Sequence, residues 1–443
     1  MLKTFPKGGI HPKESKFSAG NKIEILPLPK TVTIPISQHI GAPAEPVVAK
    51  GEKVKVGQLI AKSSGFVSAN VHSSVSGTVT KIDEVSDTSG YKKKAILIDV
   101  EGDEWMENID KSPDLIKEIK LSSEEIVAKI LESGIVGLGG ATFPSHVKLF
   151  VPQGKHLEYL IINGVECEPF LTSDHRLMLE KGEELMIGIT ILMKALKVSK
   201  AIIGIENNKP DAIKYLNELS KQYSGIEVSA LKVKYPQGGE KQLIKALINR
   251  EVPSGGLPID VGAVVHNVGT ALAVYEAVQK NKPLFERIVT VSGEKLEKTA
   301  NYLVRIGTHV HELIAAIGGM PYGTGKVING GPMMGKAITT LEVPVTKGTS
   351  GILLFPEKES KREEIQNCIR CAKCVSICAM GLEPYLLMTL SEKSLWDRLE
   401  EKNVTDCLEC GSCSYTCPAH RPLIDYIKYG KATVIKNIKS RKS

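Results

Sequence analysis

Two identical cysteine runs near the C-terminus restrict the fold of this 443-residue chain more than any other feature. Cys368, Cys371, Cys374 and Cys378 follow C-x2-C-x2-C-x3-C, and Cys407, Cys410, Cys413 and Cys417 repeat the spacing, with Pro418 closing the second run. Three thiolates two residues apart wrap three corners of an iron–sulfur cube. Structural zinc also uses four thiolates, but its usual signature is two C-x2-C pairs far apart. Two full runs of four exceed what one tetrahedral ion needs. Disulfides fit poorly as well: eight of the nine cysteines lie at or beyond Cys368, and no secretory signal precedes them.

In two-cluster ferredoxins the fourth cysteine of each run ligates the other cube. The expected ligand sets are therefore Cys368, Cys371 and Cys374 with Cys417, and Cys407, Cys410 and Cys413 with Cys378. Such a unit moves electrons one at a time.

A chain of this length is too long for one core, so about two to four domains are expected. Hydrophobic residues make up 42 % of the chain, enough to build them. The longest apolar runs fall far short of the roughly 20 residues that a spanning helix needs, so any membrane role must come through a partner. The net charge of +7 is mild for this length. The one single-signed stretch, Lys428 to Ser443, reads as a solvated tail, with an acidic partner or anionic lipid surface as the other reading. Nucleic acid has little support, since aromatics are only 5 % and do not interleave with basic residues.

Residues 1–30, rich in lysine, proline and glycine, read as an extended segment packed on something else. Between Thr31 and Val100, short alternating apolar runs bounded by Gly, Pro and Ser predict a small all-β unit. The run VVAKGEKVKVGQLIA followed by VHSSVSGTVTKI resembles the barrel-sandwich fold of biotinyl and lipoyl carriers. It lacks their modifiable tip, because no methionine occurs between Leu2 and Trp105. This unit is expected to be architectural.

From Ser122 the period changes. SSEEIVAKILESG opens with a capping box, Ser122 and Glu125, and stops at Gly134. LEYLIING, KAIIGIE, IEVSALKV and VGAVVHN then read as strands. RLMLEKGEELMIGITILMKAL, KPDAIKYLNELSKQY, GGEKQLIKALINR and VGTALAVYEAVQK read as the helices between and after them. That alternation predicts a mostly parallel sheet covered by helices, with ligands at the carboxyl ends of its strands.

Polar residues gather at those ends. GLGGATFPSHVK, Gly137 to Lys148, is a glycine-rich loop whose amides can approach a phosphate and whose lysine adds a point charge; tight-turn geometry alone would also explain it. NGVECEPFLTSDHR places Asn163, Glu166, Glu168 and Asp174 within twelve residues, suited to ribose hydroxyls, an amide or a metal, or to ordinary turn and cap roles. YPQGGEKQ carries Tyr235, Gly238, Gly239 and Glu240 into a helix start, where outward amides favour an anion. HNVGT supplies Asn267 and Thr270. The four turns read as one site.

In this order, and followed by a double cysteine run, these motifs resemble the flavin-bearing NADH-oxidising subunit of respiratory complex I and of NAD-reducing hydrogenases. The match is closer to the RnfC subunit of the Rnf ion-translocating electron-transport complex, whose layout also has the opening TFPKGGIHP and the β module before the sheet. The resemblance implies a multidomain α/β chain. Its parts would be an extended segment (1–30), a barrel-sandwich β module (31–105), a Rossmann-like FMN/NADH domain (106–282), a β-grasp domain (283–356) and a helical two-cluster ferredoxin-like domain (357–443). It further implies FMN held by Gly137, Gly139, Gly140, Lys148, Asn163, Glu166, Glu168, Asp174, Glu240, Asn267 and Thr270, with NAD(H) stacked on the flavin and two [4Fe-4S] clusters beyond. Two positions depart from the complex I pattern: Leu138 stands where an arginine contacts phosphate, and Val165 where an aspartate contacts flavin.

The stretch Arg287 to Gly319 resembles the β-grasp ligand-binding domain of the same families and is expected to pack rather than bind. NGGPMMG, Asn329 to Gly335, reads as a turn whose methionines fill a core. EKESKREE reads as a charged linker, and helices are expected to carry the cysteines. Cys167, between Glu166 and Glu168, reads as structural, since flanking carboxylates disfavour the thiolate. His175 and His266 read as orienting or packing groups, because hydride transfer needs no acid–base residue.

The resemblance implies an electron-transfer subunit on the cytoplasmic face of a membrane, bound to the other subunits of its complex, including a ferredoxin-like iron–sulfur subunit. It would pass electrons between NAD(H) and ferredoxin in a process coupled to Na+ or H+ movement. Two alternatives stay open at this point: a soluble NADH-dependent dehydrogenase or hydrogenase module, and an iron–sulfur scaffold without flavin.

Overall fold

The computed structural model describes residues 2–441, so Met1 and the last two residues of the basic tail, Lys442 and Ser443, lie outside the described residues. The four apolar runs between Tyr159 and Asn267 form a parallel sheet, ordered Ile226–Leu231, Lys200–Glu206, Tyr159–Asn163 and Ala263–Asn267. Chain order runs outward from Tyr159–Asn163 in one direction and then jumps to its other side. The topological switch therefore lies between Tyr159–Asn163 and Ala263–Asn267, where crevices of such sheets open. Their register sets Asn163 beside Asn267 at the carboxyl edge.

Helices cover the sheet as the periodicity requires. Ser123–Glu132 begins on the expected capping box, with Ser122 accepting from the Glu125 amide and Glu125 accepting from the Ser122 amide. The single helix expected over RLMLEKGEELMIGITILMKAL is two, Ser173–Glu180 and Gly182–Leu196, broken at Lys181. A side chain at Gly182 would collide with the Tyr215 ring, so glycine is what lets the second helix begin this close to its neighbour. A short helix, Ser145–Leu149, follows the glycine loop and carries Lys148.

The β module pairs Thr31–Pro35, Lys92–Gly102, Ser76–Ser86 and Lys53–Val54 in one sheet and Glu45–Pro46, Leu59–Lys62 and Val71–His72 in another. Its interior is continuous with that of the parallel sheet: Val32, Ile34, Ile60 and Ile98 belong to the same buried apolar cluster as Ile126, Leu160, Ile189 and Val274.

The segment before Thr31 is threaded through the molecule. Lys3 bridges to Leu231 and Ile10 to Tyr235. The Gly9 amide donates to the Ile377 carbonyl at 2.8 Å. Ile23–Ile25 then adds in parallel to Ala300–Arg305 as the edge of a six-stranded sheet, whose other members are Glu286–Gly293, Gly351–Pro356, Thr324–Asn329 and Lys336–Ala337.

In the C-terminal unit the cysteines sit mainly in loops, contrary to the expectation that helices carry them. Only Cys374 and Cys413 fall in helices, each a single turn. The reason is local: Arg370 and Ala372 flank Cys371 with φ of 56°, and Glu409 and Gly411 flank Cys410 with φ of 58° and 75°. Left-handed residues on both sides of the middle cysteine coil each run and forbid a helix there. The basic tail is corrected too. Leu423–Ser440 is a helix that buries Leu423, Ile427, Gly430 and Val434 on one face, the spacing that packs an amphipathic helix.

Candidate electron-transfer site

Asn163 and Asn267 organise the carboxyl edge of the sheet. Asn163 Nδ2 donates to the Gly238 carbonyl at 2.9 Å, and its Oδ1 accepts the Val165 amide at 3.2 Å. Asn267 caps the helix Val268–Lys280 by accepting the Gly269 amide, while its Nδ2 donates to Asp174 at 2.7 Å. The glycine loop lies directly against this pair. The Leu138 amide donates to the Thr270 hydroxyl at 3.0 Å. A Cβ at Gly139 would sit 3.1 Å from the Asn267 side chain, so a larger residue there would push the loop and Asn267 apart by a few tenths of an ångström. At Gly140 the space outside the loop is open. Lys148 reaches the same edge, donating to Glu240 at 2.8 Å and to the Val265 carbonyl at 3.0 Å.

The acids divide into distinct roles. Glu166 accepts the amides of Asp174 and His175 at 2.8 and 3.2 Å, holding the start of the Ser173–Glu180 helix, as a carboxylate at a helix N-terminus does. Asp174 lies half-buried beside it; desolvation first and the Glu166 charge second push its carboxyl up to about 7. Glu168 points elsewhere. It accepts the amides of Met333 and Met334 at 3.0 and 2.9 Å and faces the Tyr235 hydroxyl at 3.4 Å, and burial raises it to about 7. NGGPMMG is thus an amide clamp on Glu168 and not a core filler, and Met334 is exposed. His175 bonds Asp211 at 2.8 Å. His266 is buried, its Nε2 is without a partner, and burial lowers it to about 3. Cys167 packs against the apolar side of the sheet, and burial pushes its thiol well up.

Three groups that carry no local sequence signal complete this edge. Lys16 donates to the carbonyls of Glu166, Glu168 and Leu171. Lys209 donates to the Val165 carbonyl, and Gln242 to the Ala379 carbonyl. Each crosses between segments far apart in sequence, which no short pattern encodes.

The second cysteine run docks on this edge. The Tyr235 hydroxyl donates to the Cys410 carbonyl at 2.9 Å, Lys241 pairs with Asp406 at 3.4 Å, and Gln242 reaches the loop after Cys378. One cavity there is lined by Cys378, Cys407, Cys410 and Cys413, closed by Leu387, Ile424 and Ile427. Burial raises the thiols of Cys407 to about 11 and Cys413 to about 12, each with the charge of Cys378 among the lesser causes. Four such thiols around one space fit a metal cluster, since a bound cation is what makes buried thiolates favourable. Amides of Leu382 and Glu409 point at the sulfurs of Cys378 and Cys407 at 3.3 and 3.4 Å, the contacts that tune cluster potentials. In the first run the Cys374 thiol is raised by burial first, with the Cys417 thiol also contributing, while Cys368 and Cys371 are exposed.

Comparison with known proteins agrees with this architecture. Residues 3–103 match the RnfC barrel sandwich hybrid domain, 130–276 the Nuo51 FMN-binding domain and 288–337 the SLBB domain. An NAD+-reducing [NiFe]-hydrogenase chain in its air-oxidised state superposes with a TM-score of 0.51 at 17 % identity, covering 71 % of this chain and 66 % of that one, a likeness of fold. The class is therefore a multidomain α/β flavin-domain protein with a cysteine-rich electron-transfer unit. The chain is 49 % identical over 437 residues to the C subunit of the proton-translocating ferredoxin:NAD(+) oxidoreductase complex of Clostridium ljungdahlii, covering 98 % of this chain and 94 % of that one. It is 43 % identical to the C subunit of the Na(+)-translocating complex of Acetobacterium woodii, covering 97 % of each. The chain belongs to the RnfC family, the C subunits of ion-translocating ferredoxin:NAD(+) oxidoreductase complexes.

Proposed function

We propose that this chain is the nicotinamide-facing electron-transfer subunit of such a complex, holding FMN at the sheet edge and two [4Fe-4S] clusters in the C-terminal unit. One observation carries the reading: the four-cysteine cavity is bonded, through Tyr235 and Cys410, to the strand ends where the glycine loop, Lys148 and the two asparagines meet. Bound flavin would exchange hydride with nicotinamide and single electrons with the clusters, which relay them singly.

The residues at the edge then have separable tasks. Gly137, Gly139 and Gly140 bring backbone to the phosphate, and Lys148 supplies its charge, exchanging Glu240 for the ligand. Asn163, Asn267 and Thr270 hold the loop and strand ends in place. Glu166 and Asp174 fix the adjoining helix start, and Glu168 joins the flavin-domain edge to the clamp loop. Leu138, buried against this edge, offers no charge to phosphate, which leaves Lys148, on the short helix that follows the glycine loop, to supply it.

Electrons would pass from the sheet edge to Cys407, Cys410, Cys413 and Cys378, then to Cys368, Cys371, Cys374 and Cys417. The two outermost cysteines, Cys368 and Cys371, are exposed, which suits an exit to an iron–sulfur partner subunit. No described helix is long and apolar enough to cross a membrane, so attachment at the cytoplasmic face would run through partner subunits. The test is anaerobic purification with iron, acid-labile sulfide and flavin quantified together, followed by titration with NADH. Material with zinc in place of iron, or with clusters but neither flavin nor NADH response, would overturn the reading.

A further inference from the structure

Far from the flavin edge, the sequence THVHEL sets two histidines at the start of the helix Val310–Ala316 in the six-stranded-sheet unit. A ring nitrogen from each of His309 and His311 and a carboxylate oxygen of Glu342 lie within 4.8 Å of one another. The rings are stacked, with centroids 5.5 Å apart and planes at 22°. We propose that His309, His311 and Glu342 form a binding site for a divalent transition metal ion of the zinc class.

Three observations carry this. His311 Nδ1 is buried and makes no hydrogen bond, although Glu342 Oε1 lies 3.2 Å from it. Two ligands of one tetrahedral zinc, each at about 2.0–2.1 Å from the metal, lie about 3.3 Å apart, with their lone pairs aimed at the ion instead of at each other. Second, among the described residues the acids at the site pair with no lysine or arginine: the ion-pair partner of both Glu312 and Glu342 is His311. Third, the ligands sit on backbone already held in register. Val310 donates to the Val343 carbonyl at 3.0 Å, His311 to Leu341 at 3.2 Å, and His309 bridges Pro344.

Thr33 of the β module, 3.0 Å from His309 Nε2, orients that ring from outside, the kind of support metal-ligating histidines have. Two imidazoles and a carboxylate with an open fourth position are a donor set that zinc accepts. An ion here would fasten the six-stranded sheet to the β module.

The test uses the full chain purified anaerobically with its iron–sulfur content intact. Equilibrium dialysis against zinc chloride is expected to add one zinc per chain, and its X-ray absorption edge should report nitrogen and oxygen neighbours at about 2.0–2.1 Å with no sulfur near about 2.3 Å. His311→Ala and Glu342→Gln each weaken this binding by about tenfold or more, with iron content unchanged. His309 is half-buried and its loss would disturb packing, so the two more exposed positions carry the test. A sulfur-only coordination sphere, no retained zinc, or equal affinity in His311→Ala would overturn the proposal.

Discussion

The Tyr235 hydroxyl, at the carboxyl edge of the parallel sheet, donates a 2.9 Å hydrogen bond to the carbonyl of Cys410, the middle cysteine of the second run. Tyr235→Phe removes that donor and leaves a half-buried carbonyl unpaired, a loss of about 1 kcal/mol. Iron and flavin contents should be unchanged, while the melting temperature falls by about 1 °C and NADH-driven bleaching of the clusters slows. Unaltered bleaching in stopped flow would remove Tyr235 from the electron path.

The cavity shared by Cys378 with Cys407, Cys410 and Cys413 makes a crossed prediction about the two runs. Cys378→Ala should abolish the cluster of the second run, and Cys417→Ala that of the first. Each variant is expected to lose about half of the iron and acid-labile sulfide. Paramagnetic spectra of the reduced variants should show different surviving signals: the signal that survives Cys378→Ala should be lost in Cys371→Ala, whereas a survivor lost instead in Cys410→Ala would mean that each run ligates its own cube.

Lys148→Ala takes away the cation facing the glycine loop and leaves Glu240 without its 2.8 Å partner. FMN retention should drop by about tenfold, equivalent to about 1.4 kcal/mol. Lys148→Arg should restore part of it. Fluorimetric flavin content after gel filtration measures both.

Glu168 gives a pH dependence whose sign is fixed by its surroundings. Burial raises its carboxyl from 4.5 to about 7 in the folded chain, so the folded state holds this proton more tightly than the unfolded one. The associated stability is fully present below about 4.5 and is lost as pH rises through about 7. Between pH 5 and 8 the wild type should therefore lose stability relative to Glu168→Gln, on the order of 2 kcal/mol. Melting temperatures across that range that run parallel in the two proteins would contradict it.

Much of the architecture could be read from the sequence because the signals were local. The capping box of Ser122 and Glu125, the period-two runs of the β module and the apolar strands ending in Asn163 and Asn267 each encode their element within a few residues. What escaped depends on contacts between distant segments. The close packing of Tyr215 on Gly182 left no trace in a run that read as one helix, and the Met333 and Met334 amides had no visible reason to seek Glu168. The tail from Lys428 read as solvated because it carries six basic residues and no acid, while burial there rests on the few positions that share one face of the helix.

The strand Ile23–Ile25 has a bearing on how the molecule comes to be assembled. Its neighbouring contact, Asn21 to Thr299, spans 278 residues, and Gly9 rests on Ile377, next to a cysteine of the first run. Closing a contact of that range is entropically slow. The opening segment must wait for partners that follow it by hundreds of residues before it finds its place, and the cluster-bearing unit emerges after the sheet on which it docks. Maturation of the metal centres and final closure of the polypeptide would then be one event, with the opening segment acting as the latch.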